Sequence, residues 1–380
     1  MFIFIQNKVA SHSQRAVKTR EFLLENLYPI ALLFLAFAIN SCKTDSSPTG
    51  PQDRDDTDLW NSALVDHNGG AQFIAALRPD GIPRLYGGTS EYNYIDNAWT
   101  ISKMGTNATG FLFTAIGKCK NDGALRMYGL SSTTVYEFNY NGNQWTMLNI
   151  ATLANGYHLA IGDPRNDGFE SLYIVSTDGL HEVRYQNSSW NDSIIDSTTE
   201  VNEICGGDGR GDGKGSIYIM DRITNIFELR YENASWVRSR IGQVDVLPPN
   251  TVETYTALSV TNSHNSHPNI VASASDIREF YYDADHWIQV KVGTEPGVNQ
   301  IADGIGRNDG IDRIYCAVDF DLMAEYTLTG SSWIKTSQRK TGDISSAIVG
   351  VVVGPGRGDG VNRVYVTDNV GGLSEFSFQH

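Results

Sequence analysis

Cysteine is scarce, with four in 380 residues: Cys42, Cys119, Cys205 and Cys316. The last three are dispersed, odd in number and at no common place in the repeats described below, so the sequence predicts free buried thiols rather than a disulfide framework. Positive charge is also short, 29 Lys and Arg against 44 Asp and Glu for a net charge of −15. Binding to a phosphate backbone draws its affinity from Lys and Arg, which excludes nucleic acid as a partner. The longest apolar run, Leu27 to Ile39, falls short of the roughly 20 residues that a spanning helix needs. No glycine- or proline-rich tract of low complexity occurs despite 37 glycines, and no nucleophile motif, cofactor fingerprint or non-repeating acidic pair stands out.

What is present begins with a leader. Arg15, Lys18 and Arg20 precede the apolar run as a basic n-region precedes a signal-peptide core. Ile39-Asn40-Ser41-Cys42 follows it and resembles the lipobox of bacterial lipoproteins, from which Asn40 departs. The resemblance implies a signal peptide over residues 1–41 and lipidation of Cys42, whose two or three acyl chains suffice for a stable membrane anchor. Removing residues 1–41 takes away four basic and two acidic residues and moves the net charge from −15 to −17. Residues 42–57 are polar and rich in proline and charge, and read as a flexible tether. The expected location is the bacterial cell envelope, lipid-anchored at the outer membrane or cell surface.

Residues 58–380 are written as a repeat. Seven tryptophans, Trp60, Trp99, Trp145, Trp190, Trp236, Trp287 and Trp333, stand 39 to 51 residues apart, and each of the last six lies eight residues after a glutamate. A second signature runs from glycine to tyrosine as Gly117–Tyr128, Gly162–Tyr173, Gly207–Tyr218, Gly304–Tyr315 and Gly354–Tyr365. Within the third unit, segments 157–161, 171–175, 180–185 and 190 onward alternate as strands, with Asp178-Gly179 a type I′ hairpin signal. Four such strands per unit of about 46 residues describe the blade of a β-propeller. The last unit stops before a tryptophan, whereas Asp58–Val65 carries a lone tryptophan strand with no unit before it. Joining them completes a seventh blade and leaves no open sheet edge. The fold class is therefore all-β: a seven-bladed β-propeller of four-stranded antiparallel blades, its N-terminal strand closing the last blade. The first strand of each unit is rich in small residues, as crowding at the axis demands.

The loop after each first strand resembles the Asp-x-Asn-x-Asp-Gly turn of FG-GAP and VCBS repeats, propeller units in which those oxygens bind calcium. On residues 208–213 the first position is Asp208, the third Arg210, the fifth Asp212, and Gly213 makes the turn. The third position is basic in six units: Arg78, Lys120, Arg165, Arg210, Arg307 and Arg357. The fifth is Asp in the same six: Asp80, Asp122, Asp167, Asp212, Asp309 and Asp359. Calcium needs six to eight oxygens, and a cation within the ring removes one and repels the ion. The expectation is an Arg–Asp pair that replaces the metal and pins the turn, with no cofactor; calcium at Asp163 and Asp208 is the alternative.

The repeated third-strand glutamates, Glu91, Glu137, Glu182, Glu228, Glu279, Glu325 and Glu375, ask for cationic partners if they are buried. Second-strand Arg84, Arg126, Arg313 and Arg363 can supply them, and where that position is Ser171 or Ser216 an arginine stands on the third strand at Arg184 or Arg230. Sites repeated around a ring read as scaffold. The tryptophans suit packing between blades better than sugar stacking, and His264 with His267 is too sparse a set for a metal.

The loops between second and third strands, and those between blades, vary freely, and variation on a rigid scaffold is where binding usually sits. They carry Asp178, Asp221, Asp245, Glu253, Asp276, Asp319, Asp321 and Asp368, an acidic candidate ligand face around the channel mouth. The function expected is a monomeric protein- or glycan-binding or scaffolding module. The rival is a polysaccharide-active enzyme, which would need two carboxylates about the bond being cut, and a purely structural lipoprotein is the third reading.

Overall fold

The computed structural model describes residues 60–66, 73–77, 81–105, 111–245, 256–264, 267–295, 297–318, 322–340, 347–369 and 371–379, with backbone alone for 73–77. The leader, Cys42, the tether, Arg78, Asp80, Glu253, Asp319 and Asp321 lie outside them.

The described strands form seven four-stranded sheets. In the third, Gly156–Gly162 is innermost, followed outward by Ser171–Ser176, Gly179–Gln186 and Ser189–Asp196, each antiparallel to the one before. The innermost strands, Phe73–Leu77, Phe113–Gly117, Gly156–Gly162, Val201–Gly207, Ala257–His264, Val298–Gly304 and Ile348–Gly354, neighbour one another in that order, and the last returns to the first. The chain is a seven-bladed β-propeller.

The second strands show why. In Ser171–Ser176 every residue is buried, because successive side chains point to opposite sheet faces and each blade lies between two others. Leu172 and Ile174 pack with Tyr128 and Leu130 of the second blade, and Tyr173 and Val175 with Ile217 and Ile219 of the fourth. The core is thus a set of inter-blade layers, and the outermost strands carry most of the exposed positions.

The ring closes as the tryptophan pattern predicts. Trp60–Asp66 pairs with Leu373–Phe378, the third strand of the last blade. Trp60 is buried edge-on between Tyr315 of the sixth blade and Phe378 of its own. The same contact recurs at Tyr86–Trp145, Tyr128–Trp190, Tyr173–Trp236, Tyr218–Trp287 and Tyr365–Trp99. Six of the seven tryptophans pack on the second-strand tyrosine of the preceding blade, an arrangement worth about 0.5–1.5 kcal/mol per pair beyond area burial, and Trp333 differs because Val271 stands at that position of blade five.

Two turn assignments differ from the sequence reading. A type I′ turn needs positive φ at both central residues. Those turns join third to fourth strands, at Asp96-Asn97, Asn187-Ser188, Asn233-Ala234 and Ala284-Asp285. At the second-to-third hairpin of blade three, Ser176 pairs with Gly179 around Thr177 and Asp178, neither of which has positive φ. The repeat loops also need two left-handed residues rather than one. Asn166 (φ 53°) precedes Gly168 (φ 85°), and Gly211 (φ 69°) precedes Gly213 (φ 78°), which is why Asn or Gly stands before Asp-Gly. Asn166 Oδ1 also accepts from Gly215 N of the next blade's loop at 2.8 Å.

Candidate ligand site at the axial mouth

The repeated charges form a frame. The second-strand arginines reach the third-strand glutamates as expected, Arg126 to Glu137 at 3.1 Å, Arg363 to Glu375 at 3.5 Å, Arg84 to Glu91 at 3.7 Å and Arg313 to Glu325 at 3.8 Å, while the loop cations and the third-strand arginines take other partners than expected. The loop arginine does not pair with the loop aspartate. Arg165 instead reaches Glu182 through Nε at 2.8 Å and Nη2 at 2.6 Å, and Arg307 holds Glu325, and Arg357 holds Glu375, in the same bidentate way. Arg210 grips Glu228 likewise, and Lys120 reaches Glu137 at 3.4 Å. The loop aspartates are held by the other arginines: Asp122 by Arg126, Asp309 by Arg313, Asp359 by Arg363, Asp167 by Arg184 and Asp212 by Arg230. Glu182 therefore pairs with Arg165 and accepts from Tyr173 Oη at 3.0 Å, and the expected Glu182–Arg184 pair is absent. The Arg126 guanidinium holds the Asp122 carboxyl down at about 2.

Each described loop guanidinium has a second contact that the sequence did not show. Arg165 lies 3.9 Å from the ring centre of Tyr231, Arg210 4.2 Å from Tyr282, Arg307 4.3 Å from Phe378 and Arg357 4.2 Å from Tyr94, all on the next blade. A planar cation that grips a carboxylate edge-on and an aromatic ring face-on joins adjacent blades, which a loop-bound ion could not do. The acids at the loop's first position cap their own turn: Asp163 accepts from Asp167 N and Gly168 N at 3.3 and 2.8 Å, and Asp208 from Asp212 N and Gly213 N at 3.2 and 2.7 Å. Among the described residues no group of three acidic, His or Cys side chains is arranged to hold a metal ion.

In blade five, where the loop motif has decayed, His264 Nδ1 meets Glu279 Oε1 at 2.9 Å in place of the arginine. Only one carboxylate oxygen is taken, and Trp333 Nε1 donates to the other at 2.8 Å.

The described carboxylates of the candidate acidic face serve the hairpins they stand on or, for Asp245, that of the next blade. Asp221 accepts from Ile223 N, Asn225 N and Asn225 Nδ2 and is buried. Asp368, also buried, caps Gly372 N at 2.6 Å. Buried Asp276 and exposed Asp245 share Arg278. Asp178 and Asp192 flank His181 at 3.0 and 2.8 Å, and these bonds, that of Asp192 first, raise the imidazole above its usual range.

The cavity on this face is inside the ring of hairpins. It measures about 740 Å³ and is lined by the opening residues of the innermost strands of blades two to seven, a size typical of small-molecule sites. In four blades that opening carries a β-bulge, at Gly156/His158, Val201/Glu203, Val298/Gln300 and Ile348/Gly350. A bulge inserts one residue and re-aims side chains, and the residues inserted, Tyr157, Asn202, Asn299 and Val349, all line the cavity.

Bonds from blade to blade hold the wall. Tyr157 Oη donates to Val201 O at 3.2 Å, Thr256 Oγ1 to Glu203 Oε1 at 3.0 Å and Asn299 Nδ2 to Ile348 O at 2.6 Å; Gln300 Oε1 accepts from Val351 N at 2.7 Å. His158 Nδ1 stands 3.6 Å from Glu203 Oε2. Burial pushes the Glu203 carboxyl up to about 8 and the His158 imidazole down to about 4, so both are uncharged near neutrality. Glu203 is the one carboxylate among the described lining residues, and no Lys or Arg is among them.

None of these residues was singled out in the sequence. The small residues expected at the axis occupy the far half of the channel, as at Gly162, Gly206 and Gly304, whereas the near half carries large polar groups. The signal was there: His158, Glu203 and Gln300 are polar or ionisable on strands otherwise chosen for smallness.

The chain matches no protein-family model and no curated protein. Its fold is similar to solved structures. BBS1N in complex with ARL6DN shows 12% identity over 85% of this chain and 97% of that one, with a TM-score of 0.53. The extracellular domain of the one-component system BT4673 of B. thetaiotaomicron shows 10% identity over 84% of this chain and 40% of that one, also at 0.53. At these identities the likeness is one of fold, the propeller already read from the repeat.

Proposed function

We propose that the chain is a lipid-anchored propeller of the bacterial envelope that binds a ligand at its axial mouth without transforming it. Residues 1–41 act as the lipoprotein signal, Cys42 as the lipidated residue and 42–57 as the tether, and the propeller works as a monomer. The observation that carries the reading is the cavity of about 740 Å³ whose walls are pinned from blade to blade and opened by four bulges. Pre-organised walls reduce the ordering that binding requires. The decayed FG-GAP/VCBS-like loops, with arginine where the resemblance places a calcium ligand, serve as structure.

An enzyme acting on polysaccharide needs two facing carboxylates, and the described wall offers Glu203 alone. A protein ligand is the second reading, favoured by the rim of irregular loops; a propeller of similar fold, BBS1N, was crystallised with a protein, ARL6DN. The test is capture of envelope components on the immobilised full-length chain, compared with Thr114→Val and Asn202→Ala variants. Retention by the wild type and loss by both variants supports the mouth as the site. Equal retention by all three contradicts it.

A further inference from the structure

The chemistry of the mouth narrows its ligand. Three rings stand on one side, Phe113 and His158 with centres 4.2 Å apart and Tyr157 edge-on to His158 at 6.1 Å. Around them are groups that both donate and accept hydrogen bonds: the hydroxyls of Thr114 and Ser259 and the amides of Asn202, Asn299 and Asn369. Thr114 and Asn202 are idle in the fold. The Thr114 hydroxyl is buried in a residue 6% exposed and has no partner, although buried hydroxyls are rarely left unmatched. Asn202, placed by a bulge, lines the cavity with its amide engaged by no protein group.

We infer that the axial mouth is a site for an uncharged sugar, whose C–H face meets the aromatic wall and whose hydroxyls satisfy Thr114 and Asn202. A sugar ring has one apolar surface and a rim of groups that each donate and accept, and this wall likewise sets rings beside amides and hydroxyls. An anionic ligand finds no guanidinium or ammonium among the described lining residues. A cationic one finds only Glu203, which burial keeps protonated near neutrality. The inference rests on the mouth being the ligand site and names the class of ligand.

The experiment uses the full-length chain at pH 6.5 in a detergent without a sugar headgroup. Glucose, galactose, mannose, fucose, N-acetylglucosamine and glucuronate are titrated by saturation-transfer NMR and calorimetry. The expected result is binding of at least one neutral sugar, weakened at least tenfold by Thr114→Val and by Asn202→Ala, with Asp178→Asn on the rim unchanged and all three variants melting as the wild type does. Preference for glucuronate, or neutral-sugar binding that both variants retain, overturns the inference. If no sugar binds but both variants lose an envelope protein that the wild type captures, the ligand class is wrong and the mouth stands. If capture is also unaffected, both readings fall.

Discussion

At the scale of single residues, one substitution decides the character of the repeat. With arginine at the loop's third position, the loop turns its cation away from the turn, onto a buried glutamate and an aromatic ring of the next blade. Removing one partner of a buried pair costs about 3–5 kcal/mol because the other charge is left without compensation. A double-mutant cycle on Arg165 and Glu182 should give a coupling above about 1 kcal/mol, and the same cycle on Arg184 and Glu182 a coupling near zero. Reversed magnitudes in denaturant titrations would refute the partner assignment.

The residues of the mouth make a different prediction. The Glu203 carboxyl faces Thr256, His158 and Cys205, and its folded value of about 8 lies above its ordinary 4.5. Its contribution to stability is fully present below about pH 4.5 and is lost as pH rises through 8. His158, lowered to about 4 from 6.5, contributes above 6.5 and loses that contribution as pH falls toward 4. Wild-type stability should therefore drop by on the order of a few kcal/mol between pH 5 and 8.5. Glu203→Gln should remove most of that alkaline slope and leave the acidic one. Equal slopes in the two proteins would mean that Glu203 is ionised in the fold.

At the scale of elements, the strands were legible because both faces of each second strand are buried, and a run such as Ser171–Ser176 has few other uses. Its partners were less so. The sequence places Arg165, Asp167, Glu182 and Arg184 in one neighbourhood, but which cation meets which acid depends on reach from loop or strand, and spacing does not encode that. Turn chemistry was half legible. Gly168 and Gly213 announce one left-handed residue, whereas the one at Asn166 is visible only once its φ of 53° is known. Asn166→Val should cost about 1–2 kcal/mol from the left-handed strain, and Asn166→Gly should cost less, losing only the side-chain bonds to Gly215 N and Pro164 O; thermal melts of the two variants check the order. The mouth was hidden for a related reason: a bulge at Val201/Glu203 changes where Asn202 points without changing the repeat around it.

At the scale of the whole molecule, closure is the feature that makes one body of seven sheets. Trp60–Asp66 covers the outer edge of the last blade, and Arg357 bridges that blade to the first through Tyr94, both ring-on and by an Nη1 bond to its hydroxyl at 2.9 Å. Trp60→Ala should destabilise by about 3–5 kcal/mol, as deletion of a buried large aromatic does. It should also loosen a sheet edge able to pair with other chains, seen as concentration-dependent light scattering that the wild type lacks.

The ring is the frame, and the proposed ligand site lies at its axis. Hydrogen–deuterium exchange of the full-length chain, with and without the best-binding neutral sugar, tests this most directly. The account predicts added protection confined to residues 112–114, 157–159, 202–204 and 299–301, the wall of the cavity. Protection confined instead to the repeat loops at 118–123, 163–168 and 208–213, on the opposite face, would contradict it.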